Sequence, residues 1–286
     1  MESAPKGLQG LKQQDSITFQ VVKTSAKTGW SEGQKIQVKG NDVLSLPNKT
    51  GIIGRKPKDA EVNPVIDFGK DPYVSKTAAE LIYKFGQFGI KASSTSGMYF
   101  DIQENQKYQA LQDQLYKFDG VNEYLQIEMV FPNEQIQAKD QQMLSTAIQE
   151  LDDQTKPLNQ YVLLNNQMTK PQIRLKLFNL KTQEVKQEVF LNVDDVKINK
   201  EFVLGSGADS AIKLEGAAER AAVLGYSGDL GAWYVQGVKG SRVLLCLATY
   251  NQLTKPDSKS LVFRLVDGMQ IACGQNQVNT LQVSLQ

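Results

Sequence analysis

The sequence predicts an all-β protein of two domains in tandem, joined by a short helical linker. Three observations carry this. Short apolar runs recur along both halves with Gly, Asn, Asp and Ser between them, a pattern of β-sandwiches or barrels. One stretch with helical spacing, Pro132–Pro157, separates the halves. Two sets of segments also match across that stretch. The first set is Gly51-Ile-Ile-Gly-Arg55, Val74-Ser-Lys-Thr-Ala-Ala-Glu-Leu81 and Ser94-Thr-Ser-Gly97. The second is Phe202-Val-Leu-Gly-Ser206, Ala217-Ala-Glu-Arg-Ala-Ala-Val-Leu224 and Gly237-Val-Lys-Gly240. Ser75 to Gly97 and Ala218 to Gly240 are each 22 positions apart. At 286 residues, two domains is the natural division.

Residues 1–15 are polar, carry Gly and Pro, and read as a loose tail. Ile17–Val22 and Lys35–Val38 have strand composition, linked by the turn-rich Ser25–Gly33 with its Trp30. Val43–Leu46 and Gly51–Ile53 follow as short strand-like runs broken by Pro47-Asn48, and Lys56–Pro64 is a charged loop. Val65–Phe68, Ala78–Phe85, Gly89–Ala92 and Met98–Ile102 continue the series. Gln103–Leu115 is Gln- and Lys-rich and fits either a short helix or a long loop. Tyr124–Phe131 alternates as a strand and closes the first domain, residues 16–131.

In the linker, residues 132–159, Ile136, Met143, Leu144, Ala147, Ile148 and Leu151 fall on one helical stripe. The spacing predicts a helix over about 135–152. Its polar face is Gln and Asp rather than Lys and Arg, so it packs on a domain rather than on a membrane. The second domain, residues 160–286, opens with the alternating Ile173–Phe178. Lys181–Glu184 turns the chain into a hairpin partner, Val185–Val193. Lys197–Leu204, Ala222–Tyr226, Ala232–Gln236, Val243–Tyr250, Ser260–Val266, Met269–Cys273 and Thr280–Leu285 complete the β series.

Composition removes several function classes. The chain has no histidine, so Ser-His-Asp and Cys-His catalysis and histidine-bearing zinc sites are out. Its two cysteines, Cys246 and Cys273, are too few for a Cys₄ metal site or a disulfide framework and are expected as buried thiols. A net charge of +1 gives no field for nucleic acid or an anionic membrane. No apolar run approaches a membrane span, and no apolar stretch follows Met1-Glu-Ser-Ala-Pro-Lys6 as a secretory signal would. Asp194-Asp195 has the look of a metal pair, but its turn setting favours solvated carboxylates. Gly205-Ser-Gly-Ala-Asp209 lacks the Lys of a phosphate loop. No cofactor is expected.

An apolar strand ending in Gly-Arg, then Ser-(Arg/Lys)-X-X-Ala-Glu-(Ile/Leu), then Ser-Thr-X-Gly resembles the forkhead-associated (FHA) domain. The likeness covers about residues 15–131 and, in degenerate form, about 165–286. It implies two FHA-like β-sandwiches in tandem, each eleven-stranded, with loops at one end that bind phosphothreonine peptides. Carried over residue by residue, the resemblance makes Arg55 a brace for the peptide and phosphate. Ser75 becomes a hydroxyl donor to the phosphate, Lys76 a cation beside it, and Ser96 the residue that bonds the peptide backbone. A phosphate carries about −1.5 to −2 charges and three acceptor oxygens, so a guanidinium fork, an ammonium and a small hydroxyl suit it. Two positions depart from the family: Ala78 stands where it has His, and Ser96 where it has Asn.

The second copy has lost this chemistry. Ser206 replaces the Arg, Ala218 the Ser, Glu219 the cation and Lys239 the Asn position. A carboxylate repels phosphate, so this copy keeps a core without a ligand. Trp233 belongs to that core. The expected function is a non-catalytic adaptor or scaffold, a subunit of a hetero-oligomeric intracellular complex with cytoskeletal or ciliary settings included. The alternative is a phosphothreonine reader through the first copy. Partners are other proteins, phosphothreonine-bearing ones among them, with no nucleic acid and no membrane insertion.

Overall fold

A computed structural model describes residues 15–56, 63–93, 97–104, 107–111, 113–130, 172–191, 201–227, 232–250, 253, 261–274 and 277–286. The expected linker helix, most of the tail, Ser96 and Asp194-Asp195 lie outside these residues. The first strands are β1 (Ser16–Lys23), β2 (Lys35–Lys39), β3 (Thr50–Gly54), β4 (Ile66–Asp67), β5 (Ala79–Lys84), β6 (Gln87–Ala92) and β7 (Met98–Asp101). Next come β8 (Tyr108–Gln109), β9 (Gln114–Phe118), β10 (Tyr124–Val130), β11 (Gln172–Phe178), β12 (Val185–Leu191) and β13 (Glu201–Gly205). The last are β14 (Ile212–Lys213), β15 (Ala222–Ser227), β16 (Ala232–Gly237), β17 (Val243–Cys246), β18 (Val262–Arg264), β19 (Gln270–Cys273) and β20 (Asn279–Leu285). A six-residue helix, α1 (Gly40–Ser45), lies between β2 and β3. The protein is mostly β with largely antiparallel pairing. Among the described residues no helix is long and apolar enough to cross a membrane.

Two compact units divide the chain, and neither is a contiguous segment. The first takes its described residues from Met1–Met98 and Ser260–Gln286, the second from Tyr99–Ser145 and Leu163–Lys259. In the first unit, one sheet runs β2-β1-β20-β19. The other runs β18-β6-β5-β3-β4, with β3 and β4 parallel. In the second unit, one sheet runs β12-β11-β10-β9-β17-β7. The other runs β14-β13-β15-β16-β8, with β13 and β14 parallel.

The two plans correspond strand for strand. β1 to β6 of the first unit match β11 to β16 of the second, and β18, β19 and β20 match β8, β9 and β10. Each unit is thus closed by three strands that follow the other unit's strands in the chain. This crosses the contiguous division expected at 16–131 and 160–286. The place beside β6 is filled by β18, with Val262 opposite Lys91. The place beside β1 is filled by β20, with Phe19 opposite Val283. Apolar patterning could not have distinguished the closing segments, because Leu125-Gln-Ile127 and Leu281-Gln-Val283 present the same face.

Period-two burial explains most strands. β5 alternates buried Ala79, Leu81 and Tyr83 with half-buried partners, and β11 does the same with Ile173, Leu175 and Leu177. Trp233 on β16 is fully buried between Phe202 and Tyr226, at ring distances of 6.2 and 5.8 Å. Edge strand β2 carries exposed Lys35 and Lys39, which discourage further pairing.

Two local expectations change. Val43–Leu46 is not a strand but lies largely in α1, which buries Val43. Leu46 precedes Pro47, and that crowding forces it extended (φ −71°, ψ 150°) and stops the helix. Gln103–Leu115 supplies β8 and the start of β9, where Tyr116 donates its hydroxyl to Gln114 at 2.8 Å in the interior. Gln114 is a buried polar residue that masks the period-two signal there.

Candidate functional site

In the first unit β3 delivers Gly54 and Arg55 to one end of its sheet. The loop before β5 carries Ser75 and Lys76 across them. The Arg55 N–H donates to the Ser75 carbonyl at 2.9 Å, and the Ala78 N–H donates to the Ile53 carbonyl at 2.9 Å. Gly54 is required for this approach: a Cβ there would stand 2.3 Å from the Lys76 carbonyl oxygen and 2.9 Å from that of Ser75. From the other side the Phe68 N–H donates to the Gly54 carbonyl at 2.9 Å. Ser93, leading toward Gly97, donates its N–H to the Ala78 carbonyl at 3.1 Å.

The fold therefore brings together Arg55, Ser75 and Lys76. Arg55 and Ser75 are half-buried and Lys76 is exposed. Ser96, the fourth candidate, lies outside the described residues.

Two carboxylates that the sequence offers only as available acids, Asp67 and Asp71, organise this end. Asp67 accepts the Lys56 N–H at 3.0 Å and the Gly69 N–H at 2.9 Å through one oxygen. It ties the loop after Arg55 to the turn after β4. Asp71 is fully buried and accepts from Ser25 Oγ at 2.6 Å, Asn279 Nδ2 at 2.9 Å and the Tyr73 N–H at 3.0 Å. Burial alone would push its carboxyl up. The bonds from Ser25, Asn279 and Tyr73, with Lys27 nearby, hold it below the ordinary carboxylate value. Lys27 sits over the exposed Tyr73 ring at 5.9 Å, and its carbonyl accepts the Lys70 N–H at 3.2 Å. Lys27, Lys70 and Tyr73 thus flank the same loops. The signal available was the turn chemistry of Asp67-Phe-Gly and Asp71-Pro-Tyr, where Asp binds backbone two residues on.

The second unit repeats the backbone. Ser206 donates its N–H to the Ala218 carbonyl at 3.0 Å, Ala221 to Leu204 at 2.9 Å, and Leu214 to Gly205 at 2.9 Å. A Cβ on Gly205 would stand 2.3 Å from the Glu219 carbonyl oxygen, the counterpart of the Gly54 contact. The side chains differ. Ser206 turns its hydroxyl to the Ala217 carbonyl at 2.9 Å, and Glu219 is exposed where Lys76 stands in the first unit.

A cavity of about 250 Å³ opens here, lined by Asp119, Gly216, Ala218, Ser241 and Arg242 among others. Its guanidinium is committed, since Arg242 Nε donates to Asp101 at 2.9 Å. Burial pushes the Asp101 carboxyl up, against the pull of Arg242.

The third motif aligns differently from the sequence expectation. Gly97 precedes β7 and accepts the Gly274 N–H at 2.8 Å, while Arg242 precedes β17 and accepts the Asp119 N–H at 3.2 Å. Gly97 is therefore the counterpart of Arg242, not of Gly240, and Lys239 is not the counterpart of Ser96. The β5–β6 connection has two residues and the β15–β16 connection four, so the equal spacing of 22 hid a two-residue slip. The thiols of Cys246 and Cys273 are free and buried, and burial pushes that of Cys246 up to about 12. No family model, no curated protein and no solved structure matches this chain.

Proposed function

We propose that the protein is a non-catalytic adaptor for other proteins, in which the first unit holds the docking loops and the second a stripped copy of them. One observation carries the reading. The same loop frame occurs twice, once with Arg55, Ser75 and Lys76 and once with Ser206, Ala218 and Glu219. A matching local backbone, with the two cations Arg55 and Lys76 replaced by Ser206 and Glu219, separates the frame, which the core needs, from the side chains, which it does not.

The convergence of Arg55 and Ser75 also favours a second reading, in which the first unit reads phosphothreonine peptides. This is what the FHA resemblance implies for these residues. A guanidinium, a hydroxyl and the Lys76 ammonium at one loop end suit a phosphate. Asp67 spends its charge on the Lys56 and Gly69 N–H groups, which keeps a carboxylate at the base of the loops. On either reading the protein is a component of a larger assembly inside the cell, with cytoskeletal or ciliary assemblies among the candidates.

Titration with matched phosphothreonine and unphosphorylated peptide libraries separates the two. Phosphate-dependent binding lost in Arg55→Ala and kept in Ser206→Ala supports the reader. Binding to neither library leaves the adaptor reading without phosphate recognition. Turnover of a substrate by the chain would overturn both.

A further inference from the structure

The registers make the two sets of closing strands comparable residue by residue. In the first unit Phe19 faces Val283 and Val21 faces Leu281. In the second Leu175 faces Ile127 and Leu177 faces Leu125. Val283 thus corresponds to Ile127 and Leu281 to Leu125. Two residues earlier, Asn279 corresponds to Glu123. Likewise Ser284, which faces Thr18, corresponds to Glu128, which faces Arg174. On β20 and β10 these two apolar positions are alike. The polar ones are not.

Asn279 is fully buried and gives its amide to Asp71, while its carbonyl oxygen accepts the Ser25 N–H at 2.9 Å. Glu123 in its place would set a second carboxylate against the buried Asp71 and remove a donor. In the second unit Glu123 pairs with Lys186, and Glu128 lies 3.3 Å from Arg174 and 3.0 Å from Lys176. The first unit offers Thr18 and Gln20 where these two cations stand, so Glu128 would find no cation across the strand there. Conversely, Ser284 brought beside Arg174 and Lys176 would supply no charge.

We propose that these polar pairs assign each closing three-strand segment to its unit and select the exchanged chain path against closure of each half on itself. Asp71 with Asn279 holds β18–β20 in the first unit. Lys186 with Glu123, and Arg174 and Lys176 with Glu128, hold β8–β10 in the second. Exchange of equivalent segments is a low-cost rearrangement, and where β20 and β10 present like apolar residues to their neighbours the polar contacts bear on the choice. A consequence follows for the chain as an adaptor: neither half is complete without the other.

The test uses the full chain with two cysteine pairs and mass spectrometry of the oxidised product. Gln20→Cys with Gln282→Cys joins β1 to β20 and forms in the exchanged path, because these residues are direct partners. Gln20→Cys with Gln126→Cys joins β1 to β10 and forms only if the first half closes on itself. The first link and not the second is expected. The second alone overturns the exchange. In an Asn279→Glu background the ratio of second to first link is expected to rise by about tenfold. An unchanged ratio in a folded variant overturns the pairing code. If Asn279→Glu does not fold, adding Asp71→Asn removes the facing charge and restores folding. Failure of that rescue also overturns the code.

Discussion

Gly54→Ala tests the frame that both readings of the docking loops require. The new Cβ would lie 2.3 Å from the Lys76 carbonyl oxygen and 2.8 Å from its carbon. Both are backbone atoms, so no side chain can swing aside. The loop must lift away from β3, which stretches the 2.9 Å bond from Arg55 to Ser75. Overpacking of this kind costs about 1–3 kcal/mol, and a lost hydrogen bond about 1 kcal/mol more. The sum is about 2–4 kcal/mol. For units of this size that lowers the melting temperature by roughly 5–15 °C.

Differential scanning calorimetry of Gly54→Ala and of its twin, Gly205→Ala, reads the effect directly. The two are expected to destabilise alike, because the Gly205 Cβ meets the Glu219 carbonyl oxygen at the same 2.3 Å. They are expected to part company in peptide binding, which only Gly54→Ala should weaken. A melting temperature within about 1 °C of the parent for both variants would refute the close-approach argument.

Three further outcomes are expected. Asp71→Ala removes the acceptor for Ser25, Asn279 and the Tyr73 N–H, and should cost about 2–3 kcal/mol in chemical denaturation near neutral pH. Asp71 titrates below its ordinary value of 3.8, so its stabilising contribution is present above that pH and is lost as pH falls through the lower folded value. Melting curves of Asp71→Asn should therefore lack part of the acid destabilisation that the parent shows below about pH 4. Trp233→Ala, which empties a fully buried ring site, should lose about 3–5 kcal/mol. Cys246 and Cys273 should resist a thiol-reactive chromophore in the folded protein and react on adding denaturant; fast labelling without denaturant would contradict their burial.

Much of the fold was legible because burial imposes a period on strands. Ile173–Phe178 and Ala78–Phe85 alternate in the sequence, and the structure buries the residues that the alternation places on one face. β9 was not legible, since Gln114 is a polar residue buried by a hydrogen bond rather than by hydrophobicity. α1 was misread because six residues are too few to display a helical period. At the candidate site, the backbone approach of Arg55 to Ser75 joins two loops that the FHA resemblance had named together. The roles of Asp67 and Asp71 were not legible, since a carboxylate aimed at backbone N–H groups looks in sequence like any turn residue.

By itself, the sequence determined the β character of the chain, its internal duplication, the absence of histidine chemistry and the loss in the second loop set of the counterparts of Arg55, Ser75 and Lys76. These depend on residue type and local spacing, which the chain states directly. Which closing strands complete which unit, and that Gly97 answers to Arg242, were decided only in three dimensions. Both depend on pairing between residues far apart in the chain. There the apolar patterns of β20 and β10 are alike, and on our proposal a buried amide facing a carboxylate, or a carboxylate facing two cations, bears on the choice.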